Sequence, residues 1–145
     1  MHLVVLDTGE DKPDDTNVYA GLNRMAPYRA AELAWFREHV ETTGRVAEAP
    51  FRVILMHQPN WGWLPDGPAA WLETAESAGV DLVVAGHRHR FSHTPPGPDV
   101  QHSYHLLVLG QGQVARVEAT TARLEVTITD LEGTVVHTLA IPRRP

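Results

Sequence analysis

Apolar residues run along this chain in two rhythms. In the first 86 positions they come as short, nearly continuous runs: HLVVL at 2–6, FRVILM at 51–56 and VDLVVA at 80–85. Runs of this length, bounded by turn residues, predict strands buried on both faces. Between them the spacing becomes helical. Tyr28, Ala31 and Trp35 fall on one row, and Leu33, Phe36 and Val40 on another. This predicts a helix over 27–43 with a broad apolar stripe and with Glu32, Arg37, Glu38 and Glu41 on its other face. Pro27 suits the first turn and Gly44 the stop. A shorter helix is predicted over 68–78, with Gly79 as its C-cap. Strand, helix, strand, helix, strand is the pattern of parallel pairing through right-handed crossovers. In such sheets ligands bind beyond the carboxyl ends of the strands, and Asp7, His57 and His87 all lie there.

The second half alternates instead. Segments 104–109, 114–119, 124–129 and 134–140 read as β-strands. In 123–129 (RLEVTIT) the alternation is clean, so one face is wet. Residues 130–133 (DLEG) form the turn of a hairpin, and 95–98 (PPGP) a stiff loop. The stretch 7–25, punctuated by Gly9, Pro13 and Gly21, is a long loop, and loops of that length are usually functional or mobile. The fold class is therefore α/β: a strand-helix-strand-helix-strand unit followed by a β-rich C-terminal part. No repeat or boundary divides the chain, so residues 1–145 form a single domain.

Composition narrows the function classes. A chain of 145 residues with 43% apolar and 21% charged residues can bury a real core. Its net charge is −6 and its Lys and Arg are scattered, so it offers no nucleic-acid-binding surface and no match for an anionic membrane. The absence of cysteine excludes disulfides and thiolate-bound zinc and leaves the compartment undecided. No apolar run approaches the ~20 residues of a membrane helix, and residues 1–6 lack the pattern of a signal peptide.

Nine histidines are many for this length, and they gather between His57 and His105. Gly86-His87-Arg88-His89 follows one buried run, and His57 ends another. Neutral imidazole is a common ligand of divalent transition metals, and two strands that deliver imidazoles at their carboxyl ends suggest a metal site. Taken singly, each histidine reads as a hydrogen-bonded core or loop residue; the combination points to metal. In extended backbone His87 and His89 would share a face, whereas a sharp turn at Gly86 would make them diverge. Asp7 is either a carboxylate ligand or, given Thr8-Gly9, the cap of a turn. His93, His102 and His105 flank the Pro-rich loop and are either substrate contacts or solvated side chains. Trp61 and Trp63 either wall a pocket or clamp their loop. His2, His39 and His137 carry no signal.

Taken together, these segments resemble the calcineurin-like metallophosphoesterases, a family that includes the purple acid phosphatases. Val53-Ile54-Leu55-Met56-His57-Gln58-Pro59 is similar to the family's late histidine motif, and Gly86-His87-Arg88-His89 to its closing G-H-x-H motif. Leu6-Asp7-Thr8-Gly9-Glu10-Asp11-Lys12-Pro13-Asp14 is similar to a loop of bacterial members. The resemblance implies half of a β-sandwich flanked by helices. It implies a hydrolase acting on phosphate esters through two metal ions, Zn, Mn or Fe, with His57 and His87 on one ion and His89 on the other. Such a pair clamps phosphate oxygens and lowers the pKa of a bound water.

The family's D-x-H, G-D-x-x-D and G-N-H-D or G-N-H-E motifs are absent from these 145 residues. The chain is therefore expected to be the C-terminal portion of the domain. Alone it is expected to bind metal weakly, to show little or no phosphatase activity, and to self-associate or take up a complementing N-terminal half. The competing expectation is a non-catalytic α/β module that binds a single metal or a partner.

Overall fold

The computed structural model describes residues 1–9, 12–59, 61 and 68–144. Its first sheet has five strands. They are β1 (His2–Leu6), β2 (Arg52–Met56), β3 (Leu82–Ala85), β4 (Ser92–Thr94) and β5 (His105–Val108), in the order β1-β2-β3-β5-β4. The first four in that order are parallel, and β4 runs antiparallel on the outer edge. A second, antiparallel sheet is formed by β6 (Val114–Ala119), β7 (Arg123–Thr129) and β8 (Val135–Pro142) in sequential order. Among the described residues there are three helices: α1 (Met25–Thr42), α2 (Gly44–Glu48) and α3 (Ala69–Ser77). A 3-10 turn, Asn17–Tyr19, lies in the long loop after β1.

The alternation of side chains along the central strands sorts the core into two layers. Val4, Leu6, Ile54, Met56, Val83 and Ala85 face the helices, where Phe36, Trp71 and Ala75 meet them. Val53, Leu82, Val84 and Leu107 face the other way, onto Leu124, Val126, Ile128 and Ile141 of the second sheet. The order of layers is thus helix, mixed sheet, antiparallel sheet. The mixed α/β class read from the sequence holds; of the β-rich part, β5 joins the first sheet and β6, β7 and β8 form a layer of their own.

Several elements depart from expectation. Helix α1 opens two residues before Pro27 because Asp14, far back in the loop, accepts the Ala26 N–H at 2.9 Å and satisfies an end amide that no local side chain caps. Its stripe is narrower than expected. Phe36 is buried with Leu33 and Val40 against the core, whereas Tyr28 and Trp35 are 46% and 47% exposed. Gly44 does not end helical structure; it opens α2 after the chain bends at Thr43. Strand β4, only three residues long, has no counterpart in the sequence pattern. Gly79 does close α3: with φ +63°, its N–H bonds the Glu76 carbonyl at 2.9 Å and the Val80 N–H bonds that of Ala75 at 3.1 Å. That double bond pattern is the Schellman motif. The hairpin at 130–133 also stands, with Gly133 at φ +84° and the Asp130 carboxylate accepting the Thr134 N–H at 2.7 Å. No helix among the described residues is long and apolar enough to cross a membrane.

Candidate metal centre

The register pairs Leu6 with Met56 and Leu55 with Val84, so β1, β2 and β3 end side by side. Asp7, His57 and Gly86-His87 leave the sheet at that shared rim. A backbone bond from the Gly86 N–H to the His57 carbonyl, at 3.1 Å, ties the two histidine-bearing ends together.

His57 and His87 meet. Nε2 of His57 and Nδ1 of His87 are 3.3 Å apart, with ring centroids 5.2 Å apart and planes nearly perpendicular at 86°. Two imidazole nitrogens held at 2.0–2.1 Å by one tetrahedral ion stand about 3.3 Å apart. The spacing therefore suits a shared ion as well as a hydrogen bond. His57 is exposed and His87 half-buried, so an ion could reach them from solvent. His89 does not join them: it is exposed, and among the described residues no group of three or more His, Asp or Glu converges to hold a metal.

The backbone explains the divergence. His87 lies at φ +67° and His89 at φ +53°, both in the left-handed region. Such positions are uncommon for residues with a Cβ, although histidine tolerates them better than most. Two left-handed residues separated by Arg88 break the extended geometry in which an H-x-H pair shares a face. Each costs of order 1–3 kcal/mol and persists only where surrounding structure holds it.

Asp7 takes the turn role. Its carboxylate accepts the Gly9 N–H at 3.0 Å, and its own N–H bonds Glu32 Oε1 at 2.8 Å. Glu32 is the rim residue that sequence reasoning misplaces. The helical spacing puts it on the solvated face of α1, yet its carboxyl is partly buried against the β1 loop. That burial raises its pKa; the Asp7 N–H opposes the rise, and the Asp7 charge adds to it. No local pattern distinguishes Glu32 from Glu38 or Glu41, because its burial depends on a loop 25 residues earlier. Gln58, beside His57, is also buried, with no partner for its Oε1 among the described residues.

Trp61 clamps its loop. It is 5% exposed at φ +61°, stacks on Trp71 at 6.1 Å and meets Tyr104 edge-on at 6.5 Å. Trp63 lies outside the described residues. His102 bonds the Tyr104 carbonyl at 2.8 Å. His93 and His105 bond each other at 3.0 Å, away from the rim and between the two sheets.

No family model matches this chain, and no curated protein matches it either. Solved structures do. One is GAP50, the anchor in the inner membrane complex of Plasmodium. It is 14% identical with a TM-score of 0.66, over 99% of this chain and 49% of that one. A second is the purple acid phosphatase PPD1 from yellow lupin (Lupinus luteus) seeds, 14% identical with a TM-score of 0.67, over 97% of this chain and 31% of that one. This chain thus spans half or less of the length of both. A predicted phosphoesterase from Streptococcus pneumoniae aligns over 97% of both chains, but only with a TM-score of 0.40 and 12% identity. The fold is shared with the matched parts of GAP50 and the lupin purple acid phosphatase.

Proposed function

We propose that this chain is the C-terminal portion of a metallophosphoesterase domain and carries part of a two-metal site for phosphate ester hydrolysis. The observation that carries the reading is the 3.3 Å approach of the His57 and His87 ring nitrogens at the carboxyl rim of adjacent parallel strands, in a fold shared with a purple acid phosphatase. In this reading His57 and His87 hold one ion, and His89, turned away by its left-handed backbone, holds the other. The ions are Zn, Mn or Fe. When bound, such ions supply Lewis-acid stabilisation of charge on the phosphoryl oxygens. This chain's part is to present the imidazoles at a fixed spacing, and the strain at His87 and His89 supports a functional origin for that loop.

The carboxylate and amide ligands of such a centre would come from a complementing N-terminal half. The open edge of β1 is the place for it, with Leu3 and Val5 left 47% and 66% exposed on the face that the second sheet covers elsewhere. Calorimetric titration with zinc or manganese tests the site. Affinity should fall at least tenfold in His57→Ala and in His87→Ala, in line with the loss of a direct ligand. Unchanged affinity in both would overturn the assignment. Turnover of an aryl phosphate that appears only when an N-terminal half is supplied would support the enzyme.

One observation favours a second reading, a non-catalytic module that binds a single metal or a partner. At this rim only two donors converge among the described residues, and the same fold occurs in GAP50, which is described as an anchor. One ion or none per chain, with no hydrolysis under any complementation, would select it.

A further inference from the structure

A second histidine cluster lies away from the rim, between the two sheets. His93 on β4 and His105 on β5 are in register with Leu107 and Leu82, so both face the second sheet. His137 on β8 is in register with Ile128 and faces back toward them. His93 Nε2 and His105 Nδ1 are 3.0 Å apart with stacked rings. The ring of His137 lies 5.0 Å from that of His93 and 5.2 Å from that of Phe91. Its Nε2 is buried with no partner among the described residues. Three imidazoles thus fill the corner where β4 and β5 of one sheet meet β8 of the other.

We infer that His93 and His105, with His137 packed on them, form a proton-operated latch between the two sheets, closed when the His93 and His105 rings are neutral and released when they take up protons. The bond between His93 and His105 needs one nitrogen to accept; protonating both rings sets two N–H donors face to face. His137 adds a third ring 5.0 Å from that of His93 in the same half-buried space, where a charge on His93 or His105 is poorly solvated. Burial lowers the pKa of His93, with His137 lowering it further. Burial also lowers that of His105; His93 and His102 add to the effect, and Asp81 opposes it. Asp81 also pairs with Arg144 at 3.0 Å.

The sign follows. A histidine whose pKa is depressed by folding binds fewer protons folded than unfolded. Stability is therefore full above the ordinary histidine value of about 6.5 and is lost as pH falls below it. Over that window the closed-to-open ratio should fall about tenfold per pH unit for each proton taken up on opening.

Two measurements on the full chain test this. Ring resonances followed by NMR should show His93 and His105 titrating together below about pH 6.5. The urea midpoint should fall between neutral and mildly acidic pH in the wild type, and much less in His137→Phe, which keeps the packing on Phe91 without a titratable ring, or in His93→Gln. Independent titration of both rings at the ordinary value would overturn the latch, as would identical acid slopes in wild type and variants. Zinc that stabilises the wild type at neutral pH but not His137→Phe would also overturn it, because the cluster would then be a metal site. Should the variants fail to fold, the wild-type ring titration decides alone.

Discussion

At the scale of single residues, backbone conformation separates the two histidines of the G-H-R-H loop from the other described histidines. The left-handed backbone of His89 is a cost that glycine would not bear, since the Cβ in that region approaches the neighbouring carbonyl at roughly 1–2 kcal/mol. The ring of His89 is exposed, so it loses little packing when removed. His89→Gly should therefore be more stable than His89→Ala by about 1 kcal/mol, read from paired urea unfolding curves. Equal stabilities would mean that the loop relaxes and carries no strain. The identities of His57 and His87 as candidates were legible from their place at the ends of apolar runs. Their mutual distance was not, because it depends on χ angles and on a bond between two loops 30 residues apart. Asp7 shows the opposite case: Thr8-Gly9 after it already signalled a turn, and the carboxylate caps that turn.

Elements were legible where a local pattern had only one physical solution. Strands β1, β2 and β3 read from short apolar runs, and β7 read from its alternation, whose even-numbered residues Leu124, Val126 and Ile128 are buried. Helix α1 was legible as a helix but not in its orientation. Both apolar rows looked suited to the core, and only the row with Phe36 found one. That row meets α3 through an aromatic column: Phe36 lies 6.4 Å from Trp71, which lies 6.1 Å from Trp61. Trp71 is fully buried at the centre of the column. Trp71→Ala should destabilise the chain by about 3–5 kcal/mol through lost contacts and a cavity. Chemical denaturation reads this directly, and a loss under about 1 kcal/mol would show that the column is loosely packed. Strand β4 could not be read, since three residues carry no period; it exists because β5 offers it an edge.

At the scale of the whole molecule, the first sheet ends on β1, with one edge open and one face uncovered among the described residues. Leu3 and Val5 are in register with Val53 and Leu55, residues that the second sheet's layer includes, yet that sheet does not shield them. An open parallel edge beside exposed apolar side chains is a template for further pairing. We expect the isolated chain to self-associate, and the double variant Leu3→Lys, Val5→Lys to shift it toward monomer, as charges on an edge strand block pairing. Light scattering coupled to size exclusion reads the outcome; a wild-type monomer at micromolar concentration would remove the need for any partner on this edge.

The sequence by itself determined the strand-helix-strand-helix-strand order of β1, α1, β2, α3 and β3, the parallel pairing of those three strands, the turns at Gly79 and Gly133, and the rim on which His57 and His87 stand. Each of these follows from short-range sterics or from the period of apolar positions, which act within a few residues. Only the tertiary structure decided which row of α1 is buried, that Glu32 belongs to the rim, that His89 turns away from its neighbours, and that His137 reaches His93 across two sheets. Those outcomes rest on which surfaces pack together, and packing joins residues whose separation along the chain carries no local signal.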